Sequence, residues 1–282
     1  MYKKIKIVAD STCDISPELT EKYGIEIHPF VVNLGEKSFQ DGVDITTYDI
    51  LKYYRETGNV SKTAAAPPGE YEELFKRWNP DEYDILFFTI SSDFSSAFAN
   101  ASIAAKNFDN VYMVESANLS TGILLTVLAA ADMAEAGMSA REIVEKLKEV
   151  VPKVRASFVI DTLEFLWKGG RCSGVAALGA NLLRLKPCIE VIDGKMSVGK
   201  KYRGNIDRVI SQYIRDRLAS TPNVVRKRVF ITHTFTDRAP VEAALKQARE
   251  SGMFDEVLET RAGCTIYSHC GPNTLGILYI EA

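Results

Sequence analysis

The chain has 282 residues, 46% of them hydrophobic and 25% charged, the balance of a soluble globular protein with room for one large or two ordinary domains. A formal net charge of -3 argues against nucleic acid or an anionic membrane as the main partner, since both call for concentrated positive charge. Five cysteines without a CxxC pair, and a start without an apolar signal region, point to a reduced, cytoplasmic compartment and against a structural zinc.

Residues 5–9 read as a short apolar strand ending in the polar turn Asp10-Ser11-Thr12-Cys13-Asp14. Ser16-Pro17-Glu18 then opens a helix, with an N-cap and a proline at the first helical position. Residues 25–34 form the next strand-like run, and Thr46 or Thr47 can cap a helix to about Arg55. A helix over 70–78 follows Pro67-Pro68-Gly69. Residues 84–90 are nearly all apolar, the pattern of a strand buried on both faces of a parallel sheet. They run into Ser91-Ser92-Asp93-Phe94-Ser95-Ser96 and a small-residue helix over 97–106. A strand at 111–114, a buried helix over 119–136 and a capping box at Ser139-Ala140-Arg141-Glu142 complete this half. Repeated strand–helix alternation predicts a parallel sheet with helices on both faces.

The second half has another texture. Strands are predicted at 157–160, 186–192, 195–202, 229–232, 257–260 and 275–280, with helices over 163–168, 205–218 and 240–251. Asp193-Gly194 is a two-residue hairpin signal. The basic run Arg226-Lys227-Arg228 reads as the flank of the strand after it. The expectation is an α/β chain of two domains: 1–155, an α/β/α layer on a mainly parallel sheet, and 156–282, an α+β domain on a mixed or antiparallel sheet.

Dinucleotide, P-loop, zinc-protease and nucleophile-elbow motifs are missing from the sequence. What stands out is hydroxyl-rich turns at strand ends, where parallel sheets bind ligands. These are residues 10–12, the four serines within 91–96, and Glu115-Ser116-Ala117-Asn118. A hydroxyl beside backbone N–H groups at a helix start suits a carboxylate or phosphate, and plain N-capping is the bland alternative. Ala64-Ala65-Ala66-Pro67-Pro68 reads equally as the lining of a narrow slot or as a tight crossing of chain segments. In Trp167-Lys168-Gly169-Gly170-Arg171-Cys172-Ser173-Gly174 the arginine reads either as a surface residue after a helix end or as a bidentate anion contact. Of the three histidines, His28 reads as a strand or core residue and His233 ends a strand. His269, in the turn before the last strand, is the one expected to be accessible.

Together these segments resemble the DegV family of fatty-acid-binding proteins over essentially the whole chain. The family's opening D-S-T-x-D turn stands at residues 10–14, and its D-T-L-x-x-L-x-x-G-G-R stretch at 161–171. Its K-T-S-Q-P-S-P-G-E segment lies at 62–70, with Ala64-Ala65-Ala66 in place of Ser-Gln-Pro. Its I-S-S-x-L-S-G-T-Y segment lies at 90–98, with Ser96 and Ala97 in place of Gly-Thr. Its S-H-x-G-P-G turn lies at 268–273, with Asn273 for the last glycine. The resemblance implies the family's EDD fold, with a lipid tunnel between the domains. Thr63 and Ser95 would hold the fatty-acid carboxylate, and Arg171 and His269 would sit near it. Ser92 joins them as a candidate contact because it belongs to the same serine cluster.

The implied ligand is a long-chain acid such as palmitate, stearate or oleate. No other cofactor is implied. A separate ATP-dependent fatty acid kinase is the implied partner, and exchange of such a cargo would need only transient membrane contact. Loss of the Ser-Gln pair at Ala64-Ala65 bears on ligand choice and kinase docking. A carrier fits the residues, because a long tail supplies affinity at about 0.8 kcal/mol per buried CH₂ and the head needs few bonds. The competing readings are an acyl- or phosphoryl-transfer enzyme, with Ser92 or Ser95 as nucleophile and His269 as base, and a small-anion or sugar-binding module.

Overall fold

A computed structural model of the protein describes residues 3–171, 185–221 and 223–282; Cys172, Ser173 and Gly174 lie outside them. Strands β1 (Lys4–Asp10), β2 (Glu26–His28), β6 (Tyr83–Thr89) and β7 (Val111–Glu115) form a wholly parallel sheet in the order β2-β1-β6-β7. Strand alternation sends Leu86 and Phe88 to one face and Ile85 and Phe87 to the other, and all four are buried. Helices α3 (Pro68–Phe75) and α4 (Ala97–Ala105) cover the second face, while α5 (Thr121–Glu135) and α6 (Ala140–Val150) cover the first. The expected caps are in place: Ser16 on α1 (Pro17–Tyr23), and capping boxes at Thr46 for α2 (Thr47–Thr57) and at Ser139 for α6.

The C-terminal half is a six-stranded mixed sheet in the order β10-β9-β8-β13-β11-β12. These strands are β8 (Val154–Val159), β9 (Leu185–Ile192), β10 (Lys195–Arg203), β11 (Val224–His233), β12 (Glu256–Arg261) and β13 (Leu275–Glu281). All neighbours are antiparallel except β11 and β12. Asp193 and Gly194 both have positive φ, 49° and 77°, as a tight hairpin between β9 and β10 demands. After the short helix α7 (Glu164–Lys168), helices α8 (Ile206–Ser220) and α9 (Ala239–Glu250) pack on one face of the sheet. The other face turns Ala156, Phe158, Ile189, Phe230 and Leu278 into the same hydrophobic cluster as α5. Helix α5 is therefore sandwiched between the two sheets, which explains why it is apolar on nearly every side. The expected α/β class, with its parallel and mixed sheets, is the observed one. No helix among the described residues is long and apolar enough to cross a membrane.

Two expectations are corrected. The run 25–34 is not one strand: β2 ends at His28, and after Pro29-Phe30 the chain enters β3 (Val31–Leu34) of a different sheet. There β3 pairs antiparallel with β4 (Lys37–Gln40) and β5 (Lys62–Ala64), an element not expected before the prolines. Proline cannot donate to a ladder, so Pro29 is a natural place for the chain to leave the parallel sheet. The second correction concerns His269, read as lying in the turn before the last strand; residues 264–270 carry it on a helix instead. These residues form helix α10 (Cys264–Cys270), for reasons given by its caps below.

Candidate functional site

A cavity of about 270 Å³, many times the roughly 10–15 Å³ that one water needs, lies where the parallel strands end. Its upper wall comes from Phe30 after β2, Ile90, Phe94, Ser95 and Ser96 after β6, and Leu119-Ser120 after β7. Its floor is the mixed sheet, through Phe158, Met196 and Leu278, and α10 supplies Ile266, His269 and Cys270. Most of the lining is apolar. Ala64 and Ala65 belong to it, while Ala66 is buried against α3 and α4 and accepts a bond from Asn100 Nδ2 at 2.8 Å. The alanine run is thus both slot lining and tight crossing.

The turn after β1 does not face this cavity as a ligand surface, because its polar atoms are used within the protein. Asp10 Oδ2 accepts the Ile90 N–H at 2.8 Å, and its other oxygen accepts the Thr12 N–H at 3.1 Å and the Thr12 hydroxyl. Ser11 Oγ accepts the Phe30 N–H and donates to Asp41, each at 3.0 Å. Asp14 accepts the Gly263 N–H at 2.7 Å and the Ser120 hydroxyl at 2.5 Å. Asp41 accepts the Cys264 and Thr265 N–H groups at 2.8 and 3.0 Å. Two carboxylates from distant segments therefore cap α10, which makes a helix of a stretch that lacks a capping residue of its own. Burial pushes the Asp10 carboxyl up to about 7, against the bonds from Thr12 and Ile90, and holds Asp14 well above the usual carboxylate range. Nothing local marks Asp41 for this role; an aspartate before Gly42 reads as a turn.

Strand β5 brings Thr63 beside α10, where its Oγ1 lies 2.9 Å from His269 Nε2; Ser61 donates to Ser268 at 2.7 Å just below. His269 sits in the last turn of α10, half-buried and lining the cavity, rather than in an open turn. Gly169 makes room for it. A Cβ there would stand 2.6 Å from His269 Nδ1 and 2.8 Å from the Phe165 carbonyl. Burial, and then the neighbouring Arg171, lowers the imidazole pKa to about 4, so the ring is neutral at neutral pH. If Nε2 carries the proton it donates to Thr63, whose own hydroxyl proton is then free for an anion. Arg171 donates to the Gly169 carbonyl at 2.9 Å and the Phe94 carbonyl at 3.4 Å, tying the histidine's neighbourhood to the serine turn.

The four serines of that turn differ. The Ser91 hydroxyl donates to the Gly194 carbonyl at 2.8 Å, so the hairpin tip holds the turn in place. Ser95 lines the cavity and accepts the Ala97 N–H at 3.1 Å, while its own proton meets no acceptor among the described residues. Ser96 also lines the cavity. Ser92 is not brought to it: the Phe94 and Ser95 N–H groups close on the Ser91 carbonyl, and Ser92 is left exposed with its own N–H on Glu115. Among the described residues no serine of 91–96 is hydrogen-bonded to a histidine. Ser116 is buried and donates to the Thr89 carbonyl at 2.6 Å. His28 packs on Tyr71, and His233 is spent between Glu259 and the Phe235 N–H. Ser120, Thr232 and Thr265 also line the cavity and carry no motif that would have singled them out.

Fold and site define an α/β protein with a partly open, mainly apolar cavity lined by neutral hydroxyl and imidazole groups with one guanidinium among the described residues. A family profile described as "Uncharacterised protein, DegV family" matches residues 4–282, and the chain belongs to that family. A DegV domain-containing protein of Caldanaerobacter subterraneus is 32% identical over 284 residues, 99% of each chain. A Thermotoga maritima protein named "Fatty acid-binding protein" is 29% identical over 280 residues, 97% of this chain and 96% of its own. The solved structure described as "Fatty Acid Binding of a DegV family Protein from Thermus thermophilus" matches with a TM-score of 0.91 at 27% identity, covering 99% of this chain and 100% of that one.

Proposed function

We propose that the protein is a cytoplasmic carrier that binds a long-chain fatty acid in this cavity, with its carboxylate held by Ser95 and Thr63 beside His269 and Arg171. The observation that carries the reading is the contact chain Thr63–His269–Gly169–Arg171–Phe94 at the edge of an otherwise apolar cavity, next to a Ser95 proton with no acceptor among the described residues. The names of the Thermus and Thermotoga relatives support the same ligand class. The energetics suit it. Each buried CH₂ contributes about 0.8 kcal/mol, and each bond to a charged oxygen about 1.5–3 kcal/mol, so tail and head together give tight but reversible binding.

In this reading residues 1–155 supply the head-group loops and 156–282 complete a tunnel for the tail, with palmitate, stearate or oleate as representative cargo. No further cofactor is called for. The resemblance extends the proposal to presentation of the bound acid to a separate ATP-dependent fatty acid kinase. Native mass spectrometry of the purified protein tests the core of it: a co-purifying long-chain acid is expected. Lipid-stripped protein that shows neither binding nor a thermal shift with any long-chain acid would sink the reading. Serine-dependent turnover of an acyl ester or acyl phosphate would overturn the carrier assignment.

A further inference from the structure

Thr63 and His269 come from segments 206 residues apart, so their contact at the cavity edge depends on what holds the two segments together. Strand β5 alone holds Thr63 weakly. It has three residues, stands at the edge of its sheet and pairs only with β3. Strands this short draw their stability from packing on other elements. Ala64, Ala65 and Ala66 follow Thr63 and offer no side-chain hydrogen bond.

The tie lies upstream. Ser61 precedes Thr63 by two residues, the spacing that puts side chains of an extended chain on the same side. Its hydroxyl donates to Ser268 Oγ at 2.7 Å, and Ser268 Oγ donates to the Cys264 carbonyl at 2.7 Å. A carbonyl can only accept, so the Ser268 proton is committed there and Ser61 must be the donor of the pair. Ser61 is 1% exposed and Ser268 is fully buried, so water does not compete for the bond. Ser268 is the helix neighbour of His269, and the bond therefore joins the same two segments as the Thr63–His269 contact, beside it. On the far side of the alanines, Asn100 Nδ2 ties the Ala66 carbonyl at 2.8 Å. Thr63 is thus fixed between two anchors. Neither serine lines the cavity.

We propose that Ser61 and Ser268 are positioning residues for the head-group site: their bond holds Thr63 against His269, so that the carboxylate contacts stand assembled before a ligand enters. This rests on the fatty-acid reading above and adds the residues that hold its head-group pair in register. A site held to within about 0.5 Å by supporting bonds does not have to order its own contacts on binding.

A double-mutant cycle with lipid-stripped protein and palmitate tests this. Ser61→Ala should weaken Kd about fivefold in the parent background, the equivalent of one lost hydrogen bond. In the Thr63→Ala background the same change should cost less than about twofold, because the hydroxyl it positions is gone. A serine that only stabilised the fold would weaken both backgrounds by the same factor. Ser268→Ala should reproduce the loss, and Ser61→Thr, which keeps the hydroxyl, should recover the affinity. In the lipid-free protein Ser61→Ala should shift the NMR resonances of the His269 ring and leave those of His28 in place. The proposal is overturned if neither Ser61→Ala nor Ser268→Ala changes Kd, or if the Ser61→Ala factor is the same with and without the Thr63 hydroxyl. If the parent protein binds no long-chain acid at all, the fatty-acid reading falls and this proposal with it, an outcome distinct from binding that ignores Ser61.

Discussion

Two polar turns end neighbouring strands of the parallel sheet, residues 10–14 after β1 and 91–96 after β6, and they do opposite things. In the first, Asp10, Ser11 and Asp14 are engaged by Ile90, Phe30, Asp41, Ser120 and Gly263, which leaves a buried hub that positions other segments. In the second, Ser91 is engaged by the hairpin tip, but Ser95 faces the cavity with a proton to give. Position at a strand end therefore selects candidate turns. Hydrogen-bonding capacity left over after folding decides which of them has donors free for a ligand.

The comparison breaks or sharpens with four measurements. The largest effect is expected from Asp14→Ala, which removes the acceptor of the Gly263 N–H and the Ser120 hydroxyl; urea unfolding should show a loss of about 2–4 kcal/mol. Asp14→Asn keeps an acceptor for Gly263 and should cost distinctly less. A near-neutral Asp14→Ala would mean that the hub is dispensable. Next come Thr63→Ala and Ser95→Ala. Each should weaken fatty-acid binding by roughly tenfold or more, as loss of a bond to a charged oxygen implies. Stability should change less: Ser95→Ala gives up only the bond from Ala97, about 1 kcal/mol by analogy with a cap.

A smaller effect separates the two regions by pH. His269 is lowered from 6.5 to about 4, so below about 6.5 the unfolded chain takes up a proton that the folded one refuses. Its contribution is complete above 6.5 and is lost as pH falls toward 4. Asp10 runs the other way. Raised from 3.8 to about 7, it favours the folded state below 3.8 and loses that contribution as pH rises toward 7. The Tm of His269→Gln relative to the parent should therefore rise progressively on acidification through this window, whereas that of Asp10→Asn should rise toward neutral pH. His28, also lowered to about 4, is common to both proteins and drops out of the difference. A flat difference for His269→Gln would place the imidazole in water. The smallest effect belongs to Ser92→Ala, which should change neither stability nor affinity by more than about 0.5 kcal/mol, because the side chain is exposed and outside the cavity lining.

Much of this was legible in the sequence. The nearly all-apolar run 84–90 is a strand buried on both faces of a parallel sheet, Thr46 and Ser139 are caps, Asp193-Gly194 is a hairpin, and the apolar stretch after residue 119 is a buried helix. Each follows from interactions within a few residues or from a periodicity carried by the element itself. Ser95 was legible for the same reason, as a hydroxyl at the end of such a strand.

What only the tertiary structure decided lies at long range. Helix α10 exists as drawn because its N–H groups meet Asp14 and Asp41, 249 and 223 residues away from Gly263 and Cys264. His269 lines the cavity because that helix, β5 and Gly169 converge on it. Thr63 faces it because Lys62–Ala64 pairs with β3, a strand that local pattern alone merged with its neighbour. A side chain's type and local spacing follow from the sequence. Whether its donors and acceptors are already spent depends on partners that only folding brings within reach.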